Sequence, residues 1–431
     1  MNPTKVGGGL APADPLQGHT MLSILIPTKN RYETLGPVVR TLLDHLPPTG
    51  VEIVVEDNSD RSAPEEVAQL LGSDERIVYH HDSVPLSIVE NSTKAIEHSS
   101  GNYLCFIGDD DLVSPFITQA VELMKLRKAR CLIYPPARYW WRSVSFAAET
   151  KYQKPGVFWL PVERSGEVRT LRSDAELARV LARGGVSYMD LPRLYHGIVE
   201  RSVLEEIKRV SGVYLPGSSP DMAFSAALSL VLSEYLHIDY PISVFGASKV
   251  SGGGYTAEKR HFGRIEDQAH LPRDILKNWD PRLPQIWSEQ IIYAQTIHEV
   301  MAAFGRNCTV SYPTLYASLA VYEPHIARLA RREIRSYFLR NPISAVSFIG
   351  QLALKLAGRA RVELRKRVGA DLPFDLLEFD GVADVMECMS RLPFPRGEAT
   401  AAVPANGPPR GARTGPAGVP LAQHPDPGPT S

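Results

Sequence analysis

Short apolar runs alternate with amphipathic segments along the first third of the chain. Runs at 22–26, 51–55, 76–80, 103–107 and 131–134 have the length and composition of buried strands. The segments between them, such as 35–43 and 88–98, repeat apolar residues three and four positions apart, which predicts helices. Strands that alternate with helices of this length form parallel βαβ units. The pattern therefore predicts an α/β fold with a doubly wound, mostly parallel sheet.

Two further signals predict where helices begin. Ser62 and Glu65 have the spacing of a capping box, in which each side chain bonds the backbone N–H of the other's position. Ser114 and Pro115 place a helix-capping serine before a proline at the first helical position, which predicts a long helix reaching about residue 128.

The rest of the chain consists of an irregular segment, a return of the strand and helix pattern, a mainly helical region, and two ends rich in Pro and Gly. An irregular segment carries several tryptophans and a Gly-Gly break, and we interpret it as an insertion that covers a site. Strand and helix patterns then resume, and a mainly helical pattern follows. Ends rich in Pro and Gly cannot form a core and are expected to be disordered. The expected divisions are 1–20 (disordered), 21–255 (catalytic α/β domain, with the insertion at 135–190), 256–396 (mainly helical) and 397–431 (disordered).

Composition excludes several classes of protein. The 431 residues carry a formal net charge of −1, which argues against a nucleic-acid partner. Four cysteines stand far apart, so neither a zinc site nor a disulfide framework is expected, and a reduced, cytoplasmic compartment fits best. We find no secretory signal and no uncharged apolar run of the roughly 20 residues that span a bilayer.

The charges are unevenly distributed in the helical region. Residues 331–368 contain ten Lys or Arg against two acids, whereas 371–388 contain six acids and no base. The basic stretch could lie peripherally on the cytoplasmic face of an anionic membrane, with Phe348, Ile349, Leu352 and Leu356 inserted. Alternatively it packs on the catalytic domain, with its basic face in water or paired with the acids of 371–388.

Polar residues follow three of the predicted strands, at 28–31, at 57–60 and at Asp109, Asp110 and Asp111. Ligands of parallel α/β sheets bind at the carboxyl ends of the strands. Mg²⁺ and similar ions take one or two carboxylates together with phosphate oxygens of a substrate, which makes the three aspartates candidates for a metal site. The alternative is a solvated acidic turn that caps the next helix.

The segments 23–31, 54–59 and 101–103, together with Asn91 and the Gly-Asp-Asp-Asp run at 108–111, resemble glycosyltransferase family 2. The resemblance covers about residues 21–250. It implies the GT-A fold, a nucleoside-diphosphate-sugar donor, a divalent ion (Mn²⁺ or Mg²⁺) at a DXD motif, and inversion of the anomeric centre.

Matched position by position, the resemblance also implies residue roles. The donor would contact Pro27, Thr28, Asn30, Arg31, Asn91, Asp109 and Asp110, with Asp57 on the base. The metal ligands would be Asp109 and Asp111, with His261 as a further candidate. Many family members carry a basic residue before the position of Asn91. This chain has Glu90 there, so Lys94, one turn on, is the substitute contact to the diphosphate.

On the acceptor side, the resemblance assigns the general base to Asp221, at the start of a late helix. The helix dipole stabilises a carboxylate in the first turn, so we expect it to be ionised near neutral pH. An acid at this position is also ordinary helix chemistry. Trp140, Trp141 and His196 are predicted to contact the acceptor, although aromatic side chains more often pack in the core.

The resulting hypothesis is a metal-dependent inverting transfer from a nucleoside-diphosphate sugar to the hydroxyl of a glycan or lipid-linked acceptor. Such a reaction would serve the synthesis of a cell-surface glycan, polysaccharide or glycolipid. The alternatives are a nucleotidyltransferase, or a non-catalytic sugar-binding or scaffold protein with the same fold. The absence of glycine from 27–31 argues against the former, and the intact Asp109, Asp111 and Asp221 against the latter.

Overall fold

The structure is a computed structural model that describes residues 21–146, 149–257, 263–367 and 373–395. The expectations for 1–20, 397–431 and His261 lie outside these residues.

The elements alternate as the sequence pattern predicts over residues 22–134. The strands are β1 (Leu22–Thr28), β2 (Val51–Asp57), β3 (Ile77–His81), β4 (Tyr103–Phe106), β5 (Leu112–Val113), β6 (Cys131–Ile133), β7 (Ala137–Trp140), β8 (Val157–Pro161), β9 (Val168–Arg172), β10 (Gly197–Glu200), β11 (Glu234–Ile238), β12 (Ser243–Ala247), β13 (Gly263–Arg264), β14 (Ile286–Trp287) and β15 (Phe374–Glu378). The helices are α1 (Tyr32–His45), α2 (Glu65–Leu71), α3 (Ile88–Glu97), α4 (Ile117–Arg127), α5 (Ser173–Ala182), α6 (Arg201–Ser211), α7 (Pro220–Val231), α8 (Gly252–Ala257), α9 (Glu289–Ala303), α10 (Tyr312–Tyr322), α11 (Pro324–Leu329), α12 (Arg331–Arg340), α13 (Pro342–Arg367) and α14 (Val382–Ser390).

The larger sheet has the strand order β3-β2-β1-β4-β10-β6-β11-β9. Its first four strands are parallel, β10 runs antiparallel to β4 and β6, and β9 forms the far edge antiparallel to β11. This arrangement confirms the α/β, mostly parallel prediction. Since β1 lies between β2 and β4, the carboxyl ends of these three strands meet at one edge of the sheet.

Side chains of β1 alternate between two hydrophobic cores, one on each face of this sheet. Leu25 joins the core that includes α7 and α9, while Ile24 and Ile26 join the core under α1 and α4. A strand with both faces buried needs apolar residues at almost every position, which explains the run at 22–26. Its one polar residue, Ser23, donates a hydrogen bond to Glu52 at 2.6 Å.

A smaller sheet has the order β15-β8-β7-β12-β5. The segment 135–190, interpreted from sequence as an insertion, supplies β7 and β8 to this sheet and β9 to the larger one. Strand β12 pairs antiparallel with β5, which follows Asp111 directly. This pairing brings residues 246–248 against the three aspartates.

Two of the predicted helix starts are wrong. Helix α2 begins at Glu65 without a side-chain cap, and α4 begins at Ile117, two residues after Pro115. The capping box is instead at α3, where Ser87 and Glu90 bond each other's backbone N–H. The spacing alone misplaces the box because the two side chains also need the backbone to turn into a helix at that point.

The helical region packs on the α/β core. Helix α9 lies against α7, and Ile297 and Leu315 share one hydrophobic cluster with Leu25 and Val54. Helix α13 packs along α10 and also contacts α12, where the Phe338 ring centroid lies 5.0 Å from that of Phe348. Phe348 and Leu352 are therefore partly buried against protein, which corrects their predicted insertion into a membrane. Among the described helices, none combines the length and apolar character needed to cross a bilayer.

Candidate active site

The ends of β1, β2 and β4 are joined by buried hydrogen bonds. Thr28 Oγ1 donates to Asp109 Oδ2 at 2.6 Å. Asn91 Nδ2, from α3, donates to the carbonyl oxygens of Thr28 and Glu56 at 3.2 and 3.3 Å. The site therefore lies at the junction of β1 and β4, where the strand order reverses.

Arg31 is the cation of this junction. Its guanidinium lies 2.8 Å from Asp109 Oδ1 and 2.9 Å from Asp110 Oδ1, and Nη2 donates to Ser248 Oγ at 3.3 Å. Burial alone would lower the pKa of Arg31, but the charges of Asp110 and Asp109 outweigh burial and raise it. Arg31 therefore stays charged and offsets two of the three adjacent carboxylates.

Asp111 is held by protein donors on both oxygens. Oδ2 accepts hydrogen bonds from the Gly108 N–H (2.7 Å), the Tyr195 hydroxyl (2.8 Å) and His196 Nε2 (2.9 Å), and Oδ1 accepts from the Gly246 N–H (2.7 Å). Burial would raise the pKa of Asp111, but His196 and these N–H groups lower it below its ordinary value. Asp111 is therefore an ionised carboxylate with at least one protein donor on each oxygen.

Asp109 behaves differently although it is two residues away. Burial raises its pKa to about 7; Arg31 opposes this shift and the charge of Asp110 adds to it. Oδ1 of Asp109 lies beside Arg31 but accepts no hydrogen bond of good geometry from the described residues.

Residues 246–248 form the wall over the aspartates. The Ser248 N–H donates to Asp110 Oδ2 at 2.9 Å, and Trp141 Nε1 donates to the Asp110 carbonyl oxygen at 2.9 Å. A Cβ on Gly246 would lie 1.7 Å from that same carbonyl oxygen. Only glycine permits this approach of β12 to the aspartates.

Asp57 and Asn30 lie on the β2 side. Asp57 Oδ2 accepts from the hydroxyls of Tyr32 (2.6 Å) and Tyr79 (3.0 Å), and burial together with this bond raises the pKa of Tyr32 to about 12. Asn30 has a positive φ of 57°, a conformation that asparagine tolerates better than most residues. Its side-chain amide and the Asp60 backbone and carboxylate bond each other reciprocally, which fixes this turn.

Asp221 lies in the first turn of α7, and α9 clamps the residues before it. Glu299 accepts hydrogen bonds from the N–H and hydroxyl of Ser218 at 2.7 and 2.9 Å, and Thr296 Oγ1 accepts from the Ser219 N–H at 3.0 Å. The helical region thereby sets the position of Asp221.

Asp221 is deep in the fold, although its side chain keeps partial solvent exposure. Burial, with the nearby charges of Glu289 and Asp111, raises its pKa to about 7. From the sequence, the helix dipole is expected to keep this carboxylate ionised near neutral pH; burial and like charges outweigh the dipole, so it is only partly ionised there. Glu289 is the first residue of α9 and accepts a hydrogen bond from the Tyr293 hydroxyl at 2.8 Å.

Among the three aspartates, Asp109 is better placed than Asp111 to bind a divalent cation. Asp111 has no free oxygen, whereas Asp109 Oδ1 is a buried carboxylate oxygen without a hydrogen bond. Within the described ranges no cluster of three His, Cys, Asp or Glu side chains could hold a metal ion by itself. A cation would therefore use Asp109 and Asp110, in place of or beside Arg31, and complete its shell with ligand oxygens.

Residues 23–172 match the family model described as Glycosyl transferase family 2. This part of the chain is therefore similar to glycosyltransferase family 2. The matched residues include β1 to β9 and all three aspartates. Asp221 and the helical region lie beyond the matched residues.

Similar proteins cover the chain unevenly. "Uncharacterized protein y4gI" of Sinorhizobium fredii (strain NBRC 101917 / NGR234) is 27% identical over 132 residues, which are 29% of this chain and only 14% of that protein. Among solved structures, S. aureus TarS is 14% identical with a TM-score of 0.37, covering 53% of this chain and 37% of TarS. TarS 1-349 in complex with UDP-GlcNAc is 12% identical with a TM-score of 0.40, covering 74% and 89%. Likeness at these values carries no inference about ligand or mechanism.

The structure brings most of the predicted donor residues together, with exceptions. Lys94 Nζ pairs with Asp82 Oδ2 at 2.5 Å and not with Asp109, Asp110 or Asp111. Trp141 contacts Asp110, and Trp140 is nearly buried against Phe146. His196, predicted to contact the acceptor, has no solvent exposure and bonds Asp111 and Ser243 instead.

Sequence reasoning missed Tyr195, Gly246, Ser248 and Glu289. Each reaches the site from a strand or helix distant in the chain, and no motif marks it. Arg193 was also missed: it is fully buried and donates to the carbonyl oxygens of Met189, Tyr134 and His196. The one signal in the sequence was a charged residue between apolar neighbours, which indicates a buried arginine. Such an arginine must donate to several acceptors.

Proposed function

We propose that this protein is a glycosyltransferase, which moves a sugar from a nucleoside-diphosphate sugar to an acceptor hydroxyl with inversion at the anomeric carbon. The observation that carries the proposal is a set of three buried polar atoms without hydrogen-bond partners among the described residues: Arg31 Nε, Asn91 Oδ1 and Asp109 Oδ1. One is a donor and two are acceptors, and buried polar groups of this kind are satisfied by a ligand or water.

A nucleotide sugar supplies the complementary groups. Its hydroxyls can donate to the oxygens of Asn91 and Asp109, and its phosphate oxygens can accept from Arg31, which forms charge-assisted bonds to phosphate. Thr28 and Asn91 lie at the switch point between β1 and β4, where ligands of such sheets bind. The proposed donor contacts also include Pro27, Asn30, Asp57 and Lys94.

Asp221 is the proposed general base. Its carboxylate takes the proton of the acceptor hydroxyl, whose oxygen forms a bond to the anomeric carbon. The bond between that carbon and the diphosphate oxygen breaks, and the nucleoside diphosphate leaves with the electron pair. A base with a pKa of about 7 is matched to neutral pH, where it is partly ionised and still holds the proton it receives.

Positive charge stabilises the leaving diphosphate. Arg31 supplies it from the protein, within 2.9 Å of both Asp109 and Asp110. A Mn²⁺ or Mg²⁺ ion held by Asp109 and Asp110 would supply further charge to the departing phosphates when bound. The acceptor is proposed to be a glycan or a lipid-linked hydroxyl, in cell-surface glycan, polysaccharide or glycolipid synthesis in the cytoplasm.

The test is a panel of nucleotide sugars with Mg²⁺ or Mn²⁺, scored for binding by calorimetry and for donor hydrolysis. Asp221→Asn should lower turnover of the active donor by roughly 10²- to 10⁴-fold and leave donor affinity unchanged. Asp44→Asn, on the exposed side of α1, is the matched control and should change neither. An equal loss of donor affinity in Asp221→Asn would reject the base assignment, and no binding of any nucleotide sugar would reject the proposed function.

A further inference from the structure

Helix α13 leaves much of its apolar surface in water, while two of its charged residues contact protein. Its 26 residues extend about 39 Å at 1.5 Å per residue. The side that faces α10 carries Lys355, whose Nζ lies 5.9 Å from the Tyr322 ring, and Arg359, which donates to the Val321 carbonyl oxygen at 2.6 Å. These are the only charged residues between 341 and 360, and both point toward protein.

The opposite side, here called the outer face, is apolar and exposed. Its large side chains are between 51% and 88% exposed: Ile343, Val346, Ile349, Leu354 and Leu356. Smaller residues such as Gly350, Ala353 and Ala357 fill the positions between them. A continuous exposed apolar patch of this length marks an interaction surface.

Exposed arginines accompany the outer face. Arg331, Arg332 and Arg335 precede it on α12 and form no ion pair within the described ranges, and Arg361 follows it. The described acids of 371–388 that form ion pairs do so elsewhere, for example Asp375 with Arg164 and Glu378 with Lys154. These acids of 371–388 therefore do not neutralise Arg331, Arg332 or Arg335. The three arginines remain available to an external anion.

We infer that the outer face of α13 docks on an anionic lipid surface, with the apolar side chains in the headgroup boundary and the arginines on lipid phosphates. Apolar insertion combined with basic flanks is the chemistry of interfacial helices. A second copy of this chain docked on this face would bring arginines together in either orientation, because arginines lie at both ends of the face, and like charges repel. The segment 397–431 has no aromatic residue with which to cover the face. This inference does not depend on the proposed reaction.

The experiment is co-sedimentation of the full chain with vesicles of phosphatidylglycerol and phosphatidylcholine, against vesicles of phosphatidylcholine alone. We expect binding to the anionic vesicles that weakens with salt. The double variant Val346→Glu with Ile349→Glu should reduce the partition coefficient about tenfold or more, because two aliphatic side chains no longer leave water. Leu126→Glu, at a leucine of α4 that is 77% exposed, is the matched control and should bind like the wild type.

A second arm tests charge. Arg332→Glu with Arg335→Glu should weaken binding to the anionic vesicles and reduce its salt dependence. Circular dichroism verifies that each variant is folded. Equal binding to both vesicle types, no binding to either, or a wild-type dimer that the α13 variant dissociates without any vesicle binding would each overturn the inference.

Discussion

The aspartate junction, where Asp109, Asp110 and Asp111 meet Arg31, and the outer face of α13 differ in what they bury and what they expose. At the junction, Asp109, Asp110 and Asp111 are buried, and the fold surrounds them with Arg31, His196 and backbone N–H groups. On α13, aliphatic side chains are left in water while Lys355 and Arg359 face the protein. Buried charge requires compensation inside the fold, whereas exposed apolar surface requires a partner outside it. At the junction the protein itself compensates the buried charges, and the ligand is what the site still lacks. The apolar side chains of α13 leave water only when the helix docks on a partner surface.

The largest effect is expected at Asp111. Asp111→Ala removes the partner of His196, Tyr195 and two N–H groups, and should lower the free energy of unfolding by about 3–5 kcal/mol. Denaturant unfolding measures this free energy. The control variant Asp44→Ala should remain within about 0.5 kcal/mol of the wild type. If Asp111→Ala is as stable as the control and loses only cation-dependent nucleotide binding, Asp111 is a metal ligand, as the family resemblance implied.

Arg31→Met should have the next largest effect, with a loss of about 2 kcal/mol because Asp109 and Asp110 lose their cation while partial exposure admits water. Mn²⁺ should raise the melting temperature of this variant more than that of the wild type if Asp109 and Asp110 accept a divalent ion. Arg40→Met, at an exposed position of α1, is the matched control. An equal response of Arg31→Met and wild type to Mn²⁺ would argue against a cation at these two carboxylates.

A smaller effect is expected from the pH dependence of Asp221. Its pKa is raised from 3.8 to about 7, so its contribution to stability is fully present below its ordinary pKa and is lost as pH rises through about 7. Asp221→Asn should remove that loss, and its melting temperature should exceed that of the wild type above neutral pH. The wild-type kcat/KM should fall as pH drops below about 7, since the base becomes protonated. Parallel melting curves for the two proteins across this range would contradict the raised pKa.

The smallest effect should be seen on α13. Leu354→Gln, on the outer face, should change the free energy of unfolding by no more than about 0.5 kcal/mol, because the side chain is exposed in the isolated protein. Phe348→Ala, on the side that contacts α12, should lower the free energy of unfolding more, since it removes packing against Phe338. Equal losses for the two variants would mean that the outer face is buried in solution.

Local pattern predicted much of the fold. The apolar runs of β1, β2 and β4 and the helices between them follow from periodicity, since a doubly buried strand and an amphipathic helix each require their own spacing of apolar residues. Ser62 and Glu65 show the limit of such signals: the same spacing occurs at Ser87 and Glu90, and only there does the chain enter a helix in the required way.

The sequence by itself determined the α/β order, the strand ends that carry the site, and Thr28, Arg31, Asp109 and Asp221 as its candidates. Only the tertiary structure decided what each does electrostatically. Asp109 and Asp111 are two residues apart, yet their pKa values move in opposite directions, because His196 and the Gly246 N–H reach only Asp111. Similarly, the count of bases in 331–368 was visible in the sequence, but which face of α13 meets water depends on its packing against α10. Environment and orientation arise from contacts between residues far apart in the chain, which no local pattern contains.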